Sequence, residues 1–203
     1  MRRQFPGLRV LVALALLAPA LSGCLHVPLE ALWRLRKLEM LKIDPANIRI
    51  AARIPGWLDA RPGTASILLK LKSADGPERE LKLALVEAPE EMAVTSLAGE
   101  RRPGSQILAF RIGAADVARL RALQAEAQER KAAHPDSRTD MRLSLDATTC
   151  RRAPPPPGEA RVDFYLSLGD SDGFFKVYQD IDLRDTFKPD SAFEAATPPC
   201  AKP

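Results

Sequence analysis

The chain has few of the side chains that most often carry catalysis. Its 203 residues include only two histidines, His26 and His134, and three cysteines. No Gly-x-Ser-x-Gly or Ser-x-x-Lys motif supplies a nucleophile for either imidazole. Acidic residues are common, but no feature singles out the carboxylate pair that a glycosidase would need. We therefore predict that the protein is not an enzyme and binds no cofactor.

Metal-binding spacings are also missing. Cys150 and Cys200 are too far apart for a Cys-x-x-Cys motif, and no histidine lies near them in the sequence. The run Asp170-Ser171-Asp172-Gly173 begins like a calcium-binding loop, which needs a bidentate Glu at its twelfth position. That position is Ile181, so the run is better explained as a hairpin turn, and we predict no metal site.

The charge balance excludes nucleic acid as a partner. The chain has 30 basic and 26 acidic residues, for a formal net charge of +4. Three of the basic residues (Arg2, Arg3 and Arg9) lie in the first 23 residues, so the remaining 180 residues (203 − 23) carry 27 − 26 = +1. A nucleic-acid-binding surface needs a basic stripe, which this composition does not support.

Long apolar runs are absent except near the N-terminus. The segment from Val10 to Ala18 is entirely apolar, follows three arginines, and precedes the small residues Ala20, Ser22 and Gly23. This is the layout of a secretory signal. The run is too short to cross a bilayer, which takes about 20 apolar residues. We therefore expect an exported protein without a permanent transmembrane helix.

The signal ends in Leu21-Ser22-Gly23-Cys24, which resembles the lipobox of bacterial lipoproteins over residues 1–24 only. The resemblance implies that the Cys24 thiol is alkylated with diacylglycerol and that the chain is cleaved between Gly23 and Cys24. In Gram-negative bacteria the new amine would then receive a fatty acid such as palmitate. Two or three acyl chains hold a protein firmly on a membrane. The alternative is an ordinary signal, cleaved after Ala20, with a cysteine nearby by chance.

The residue after Cys24 bears on localisation. In Gram-negative lipoproteins an aspartate there often marks retention in the inner membrane, but this chain has Leu25. The resemblance therefore implies the outer membrane, on its periplasmic face, with the membrane itself as the first partner and another envelope protein as a second.

A lipid on Cys24 would leave Cys150 and Cys200 as one pair in an oxidising compartment. We predict that they form a disulfide, which would hold the Pro-rich tail on the domain. The alternative is two unpaired thiols.

Apolar residues recur at nearly helical spacing from His26 to Lys42, with basic residues between them. Such a segment could lie on the bilayer beside the anchor, with Trp33 at the headgroup level and Arg34, Arg36 and Lys37 near the lipid. It could instead pack on the domain. We slightly favour packing, because the basic residues are not confined to one face.

From residue 48 onward the apolar period changes to two, which predicts strands. The predicted strands are 48–54, 67–72, 81–86, 107–112, 141–146, 162–168 and 175–181, with a weaker candidate from Met92 to Leu97. Asp75-Gly76 predicts a hairpin turn between the second and third strands. Phe174 and Phe175 should face opposite ways, so that one is exposed or lies under a helix.

One helix is predicted at 114–133, after Gly113 and before Pro135, with a thin apolar stripe at Val117, Leu120, Leu123 and Ala127. We predict a mainly β fold: an antiparallel β-sandwich or partly open barrel of about seven short strands with this helix packed on it. The alternative is an α+β fold in which residues 107–145 form a strand–helix–strand crossover.

The predicted organisation is a signal peptide (1–23), a lipid-anchored N-terminal segment (24–46), a β-rich domain (47–187) and an irregular Pro-rich tail (188–203). For function we predict a non-enzymatic accessory or interaction module of the cell envelope. The alternative is a carrier that binds a lipid or other apolar ligand between the sheet and the helix.

Overall fold

The computed structural model of the chain describes residues 26–39, 41–60, 63–73, 77–88, 97–136, 139–158, 160–169 and 173–201. Several predictions fall outside this part of the chain: the signal peptide, the cleavage and lipidation site at Gly23 and Cys24, the turns at Asp75-Gly76 and Asp170–Asp172, and all but the last residue of Met92–Leu97.

The described residues form mainly strands. The strands are β1 (Arg49–Pro55), β2 (Leu58–Ala60), β3 (Ser66–Ser73), β4 (Arg79–Glu87), β5 (Ser105–Ile112), β6 (Thr139–Asp146), β7 (Thr149–Arg151), β8 (Arg161–Ser167) and β9 (Phe175–Asp182). The helices are α1 (Leu29–Lys37), α2 (Ala114–Ala133), α3 (Leu183–Thr186) and α4 (Asp190–Ala196), with 3-10 turns at Pro45–Asn47 and Ala98–Glu100.

Seven strands form one antiparallel sheet in the order β6-β3-β4-β5-β1-β8-β9, which curls into a half-barrel. The two short strands β2 and β7 pair separately. The predicted mainly β fold is therefore confirmed, in a form close to the partly open barrel. All seven main strands lie where the two-residue alternation predicts them, because that period places every second side chain on the same face of the sheet.

The alternative crossover was wrong. Strands β5 and β6 lie on either side of α2 in the sequence, but in the sheet β4 and β3 stand between them. Because every neighbouring pair from β5 to β6 is antiparallel, β5 and β6 run in opposite directions. The connection through α2 therefore does not form a parallel strand–helix–strand unit.

The predicted helix is confirmed as α2, over Ala114–Ala133. Its stripe packs on the sheet through Val117 and Leu120, which are buried against Leu83 and Leu85 of β4. The Asp116 carboxylate fixes the start of the helix by accepting the Ala84 backbone N–H at 2.7 Å.

The polar side of α2 holds the segment that leads into β1. Gln124 and Gln128 donate to the backbone oxygens of Ile43 and Leu41 at 2.8 and 2.7 Å. The narrow apolar stripe of α2 suffices to dock the helix because its polar side also makes these hydrogen bonds to the segment before β1.

The sequence predicted an irregular C-terminal tail, and this prediction was wrong. The tail forms α4, whose Phe193 is buried and meets Trp57 edge to face with ring centroids 6.3 Å apart. Beyond the helix the chain runs beside β7, where the Cys200 N–H donates to the Arg151 backbone oxygen. Cys200 is joined to Cys150 of β7 by a disulfide. The predicted pairing of these two cysteines is therefore present in the structure, and it holds the tail on the domain.

Candidate functional site

Helix α1 is fixed to the domain at the β9 edge of the sheet. Ala31 on its inner side is completely buried, and the Arg34 guanidinium lies 5.0 Å from the centre of the Phe175 ring. Just before the helix, the His26 backbone oxygen accepts the Gln179 N–H of β9 at 2.8 Å. The helix therefore has a defined orientation relative to the sheet.

The opposite side of α1 is apolar and exposed. Leu29, Leu32 and Trp33 are 85%, 50% and 59% exposed. At 100° per residue these three positions cluster on one side of the helix, facing away from Ala31. Most large apolar side chains of soluble proteins are covered, so three exposed neighbours on one nine-residue helix make this side a candidate contact surface. We call these three residues the apolar face of α1.

Basic residues accompany the apolar face. Lys37 Nζ lies 4.3 Å from the centre of the Trp33 ring, and Arg36 is exposed on the same side. Arg34 differs from them, because it pairs with Glu30 at 3.0 Å and covers Phe175. Of the four residues predicted to contact a membrane, the structure thus brings Trp33, Arg36 and Lys37 together and turns Arg34 toward the domain. The segment packs on the domain and presents an amphipathic surface at the same time.

A second cluster, of polar and charged side chains, lies among β1, β8 and β9, the three strands at the same edge of the sheet as α1. Arg53 and Asp163 form a buried ion pair, with side chains 8% and 1% exposed. Glu100 accepts the Tyr165 hydroxyl proton at 2.8 Å and lies 3.2 Å from Lys176 Nζ. Two cations and two carboxylates therefore balance one another, with the tyrosine hydroxyl between them.

The cluster shifts the pKa of two of its members, Glu100 and Tyr165, away from their ordinary values. Burial alone would raise the pKa of Glu100, but hydrogen bonds from Tyr165 and Lys176 outweigh it and hold that pKa below its ordinary value of 4.5. Burial, followed by the hydrogen bond to Glu100, raises the pKa of Tyr165 above its ordinary value of 10.0. The phenol is thus held protonated as a hydrogen-bond donor and the carboxyl group ionised as an acceptor.

This arrangement ties elements together. Arg53 also donates to the Glu100 backbone oxygen at 3.0 Å, and Asp163 accepts the Asp180 N–H at 2.7 Å. The cluster thereby joins β1, β8, β9 and the 3-10 turn Ala98–Glu100 through charges whose partners are all within the domain.

The two-residue period does not reveal this cluster, because it only places Arg53, Asp163 and Tyr165 on the side of their strands opposite the apolar run. Ala51 and Tyr165 share that side, where Leu97 and Phe174 cover them. The sequence did contain a signal that both faces of β1 and β8 are buried. Ala51 and Tyr165 are apolar or aromatic residues that lie on the same side of these strands as the charged Arg53 and Asp163. Of the adjacent phenylalanines, Phe175 is buried under α1 and Phe174 is half-buried, so neither is an open contact.

A groove of about 620 Å³ lies beside β5, along Ser105 to Phe110. Its walls include Ile107 and Leu108 together with the charged residues Asp59, Glu87 and Arg101. This groove is separate from α2, whose Val117 and Leu120 pack directly on strand side chains.

Within the described part of the chain, no group of three or more His, Cys, Asp or Glu side chains is arranged to hold a metal ion. No helix among the same residues is long and apolar enough to cross a membrane. Comparison with models of protein families, with curated proteins and with solved structures gave no match to this chain.

Proposed function

We propose that this chain is a lipid-anchored envelope protein that faces the periplasm from the outer membrane and acts as a non-enzymatic accessory or interaction module. Diacylglycerol on Cys24 would tether it, and the apolar face of α1 would rest on the same membrane. The single observation that supports this most strongly is the exposure of Leu29, Leu32 and Trp33 so near the lipobox cysteine.

The length of the intervening chain limits the geometry. Leu29 follows Cys24 by five residues, which span at most about 17 Å when fully extended. A lipid on Cys24 would enter the bilayer, so α1 could not lie farther than that from the membrane surface. Because α1 is fixed to β9, the anchor would also orient the domain and not merely tether it.

The energetics favour contact with the bilayer. Moving a leucine side chain out of water is worth about 2 kcal/mol, and Trp33 would add the preference of indole for the headgroup region. Helix α1 contains one acidic residue, Glu30, and three basic ones, for a net charge of 3 − 1 = +2. Anionic lipids would therefore add an attraction that increased salt weakens.

The two tryptophans of the chain provide a test with a built-in control. Trp57→Phe leaves Trp33 as the only indole, and Trp33→Phe leaves Trp57, which packs against Phe193. The purified, processed protein is reconstituted into phosphatidylcholine–phosphatidylglycerol vesicles with and without brominated acyl chains. Bromine should quench Trp33 and leave Trp57 nearly unaffected. Equal quenching of the two, or quenching of neither, would refute the membrane contact.

The anchor itself is tested separately by mass spectrometry of the mature N-terminal peptide. We expect it to begin at Cys24 with the mass of a diacylglycerol and a further acyl chain, and we expect Cys24→Ser to remain an uncleaved precursor. A mature chain that begins after Ala20, or at Cys24 without added lipid, would contradict the anchoring.

The accessory role predicts stoichiometric partners. Affinity purification from detergent-extracted envelopes should recover another envelope protein together with this chain. Recovery of only this chain, after in-cell crosslinking as well as without it, would count against an interaction module.

A carrier is the second candidate function, with its ligand in the groove beside β5 and not between the sheet and the helix, because the volume of this groove suits a small ligand. Its lining mixes apolar side chains with Asp59, Glu87 and Arg101, so an amphipathic ligand fits better than a purely apolar one. Native mass spectrometry of protein purified in a mild detergent should then reveal a bound molecule, and consistently ligand-free protein would remove this candidate.

A further inference from the structure

Strand β6 is an unpartnered edge of the main sheet. It pairs with β3 on one side and, among the described residues, with no strand on the other. All eight of its residues are exposed, which is unusual for a strand of this length. Native proteins commonly protect such an edge with prolines, bulges or inward-pointing charges, because its free N–H and C=O groups can pair with another strand.

The side of β6 that continues the core face is apolar. Met141, Leu143 and Leu145 stand opposite Leu71, Leu69 and Ile67 of β3, so they share the face on which α2 packs. They are nevertheless 43%, 56% and 41% exposed. The core face of the sheet therefore extends one strand beyond the elements that cover it.

The other edge of the sheet, at β9, is partly covered by the N-terminal segment. Strand β9 is bordered by the N-terminal segment, where His26 accepts the Gln179 N–H and Ala31 of α1 is buried. Only the β6 edge is therefore available along its whole length for a further strand, within the part of the chain that the structure describes. A two-fold contact there would close as a dimer and not grow into a filament.

The sequence of β6 is complementary to itself in the antiparallel sense. From Arg142 to Asp146 it reads Arg-Leu-Ser-Leu-Asp, with opposite charges at the two ends and matching residues about the centre. Neither Arg142 nor Asp146 has an ion-pair partner among the described residues. A second copy aligned on Ser144 would place Arg142 opposite Asp146 twice, and Leu143 opposite Leu145 twice.

Other symmetric registers are less favourable. Alignment on Leu143 would oppose Asp140 to Asp146, and alignment on Arg142 would oppose two arginines, which are destabilising like-charge pairs. Alignment on Met141 would pair Arg142 with Asp140 but would set Leu143 against Thr139 on the apolar face. Only the register on Ser144 matches charge with charge and leucine with leucine over five residues.

We infer that the protein forms a homodimer in which β6 pairs antiparallel with β6 of a second copy, centred on Ser144. The two sheets join into one continuous sheet. The leucines of both copies form an apolar strip between the two α2 helices, and the Arg142–Asp146 pairs lie on the opposite face. This inference uses residues distant from the lipobox, so it stands or falls independently of the anchor.

A cysteine on the symmetry axis tests the register. In the full-length protein, expressed with its signal and purified in detergent, Ser144→Cys places two thiols at positions whose Cα atoms are about 4.5–5.5 Å apart, within disulfide range. Asp140→Cys is the matched control on the same strand and face, because its two copies would be about 27 Å apart. Mild oxidation should form a disulfide-linked dimer of the first variant and leave the second without a covalent crosslink.

Charge exchange tests the pairing without new thiols. Arg142→Asp and Asp146→Arg each create two like-charge contacts across the dimer, so each should raise the dimer dissociation constant about tenfold or more in sedimentation experiments. The double variant R142D/D146R restores two opposite-charge pairs with reversed direction, and it should dimerise like the natural chain. All of these side chains are exposed, so folding of the monomer should be unaffected.

The outcomes are distinct. Crosslinking through residue 144 together with rescue by the double variant supports the inferred dimer. Crosslinking through Met141→Cys instead of Ser144→Cys would overturn the register, and failure of the double variant to recover would overturn the charge pairing. Protein that stays monomeric at all accessible concentrations, in detergent and in vesicles, would overturn the dimer.

Discussion

The buried pair of Arg53 and Asp163 supports a quantitative prediction about stability. Asp163→Asn keeps the shape of the side chain and an acceptor for the Asp180 N–H, but it leaves the Arg53 charge without its closest partner. Removing one partner of a buried pair costs about 3–5 kcal/mol. Glu100 offers partial compensation, since its carboxylate lies 3.7 Å from Arg53, so we expect the lower end, about 3 kcal/mol.

The assay is thermal and urea unfolding of the oxidised protein at pH 7. For a chain of this size, about 3 kcal/mol corresponds to a fall in Tm of roughly 6–12 °C. Asp185→Asn is the control, because its partner Lys188 lies at 2.6 Å but both side chains are 70% exposed. Because solvent screens an exposed pair of this kind, Asp185→Asn should leave the Tm almost unchanged.

A double variant decides whether charge balance is the cause. In Arg53→Met combined with Asp163→Asn, the remaining pair of Glu100 and Lys176 is still neutral overall, with 3.2 Å between the charged atoms. The double variant should therefore be more stable than Asp163→Asn alone. If the losses of the two single variants simply add, the pair is not coupled and the reasoning fails.

Three further outcomes follow from the fold. Replacing Cys150 and Cys200 by serine should lower the free energy of unfolding by about 4 kcal/mol, because the bridge closes a 50-residue separation, and a loss below about 1 kcal/mol in urea titrations would contradict this. Phe193→Ala should cost about 3–5 kcal/mol and release α4, which proteolysis of the tail would detect, whereas an unchanged digestion pattern would show that the helix is not held there. The pKa of Glu100 is lower in the folded than in the unfolded chain, so the stability that its ionised carboxylate contributes is complete above about pH 5. That contribution is lost as the pH falls through the folded-state pKa. Glu100→Gln should therefore flatten the acid side of the curve of unfolding free energy against pH, and an unchanged slope would contradict this.

The seven strands and α2 could be predicted because their patterns are local. Each strand repeats apolar residues with period two, and α2 is bounded by Gly113 and Pro135 in the sequence itself. The antiparallel hairpins followed from short connections. These features depend on neighbours in the chain, which is the information that periodicity contains.

The missed features depend on distant partners. Strands β2 and β7 are three residues each and pair across about ninety positions, so neither has a detectable period. Helix α4 has one buried apolar residue, Phe193, whose partner Trp57 lies far away in the sequence. The buried charges of Arg53 and Asp163 were unpredictable for the same reason, because only the folded chain brings Leu97 over Ala51 and Tyr165 on the same side of these strands.

The two edges of the sheet together limit how a dimer could sit on a membrane. Helix α1 lies at β9, and six strand spacings of about 4.8 Å separate β9 from β6, or about 29 Å along the sheet. A two-fold axis through the Ser144 pair therefore puts the two α1 helices at the far ends of the joined sheet. If both Cys24 lipids enter one leaflet, that axis must run along the membrane normal, since any other direction would carry one helix away from the bilayer. The curl of each half-barrel would then have to bring both β9 edges, with their α1 helices, toward the membrane. The β6 pair at the centre of the joined sheet would lie farther from the bilayer. If the axis instead lay in the membrane plane, the two anchors would face opposite directions and could only enter two apposed membranes.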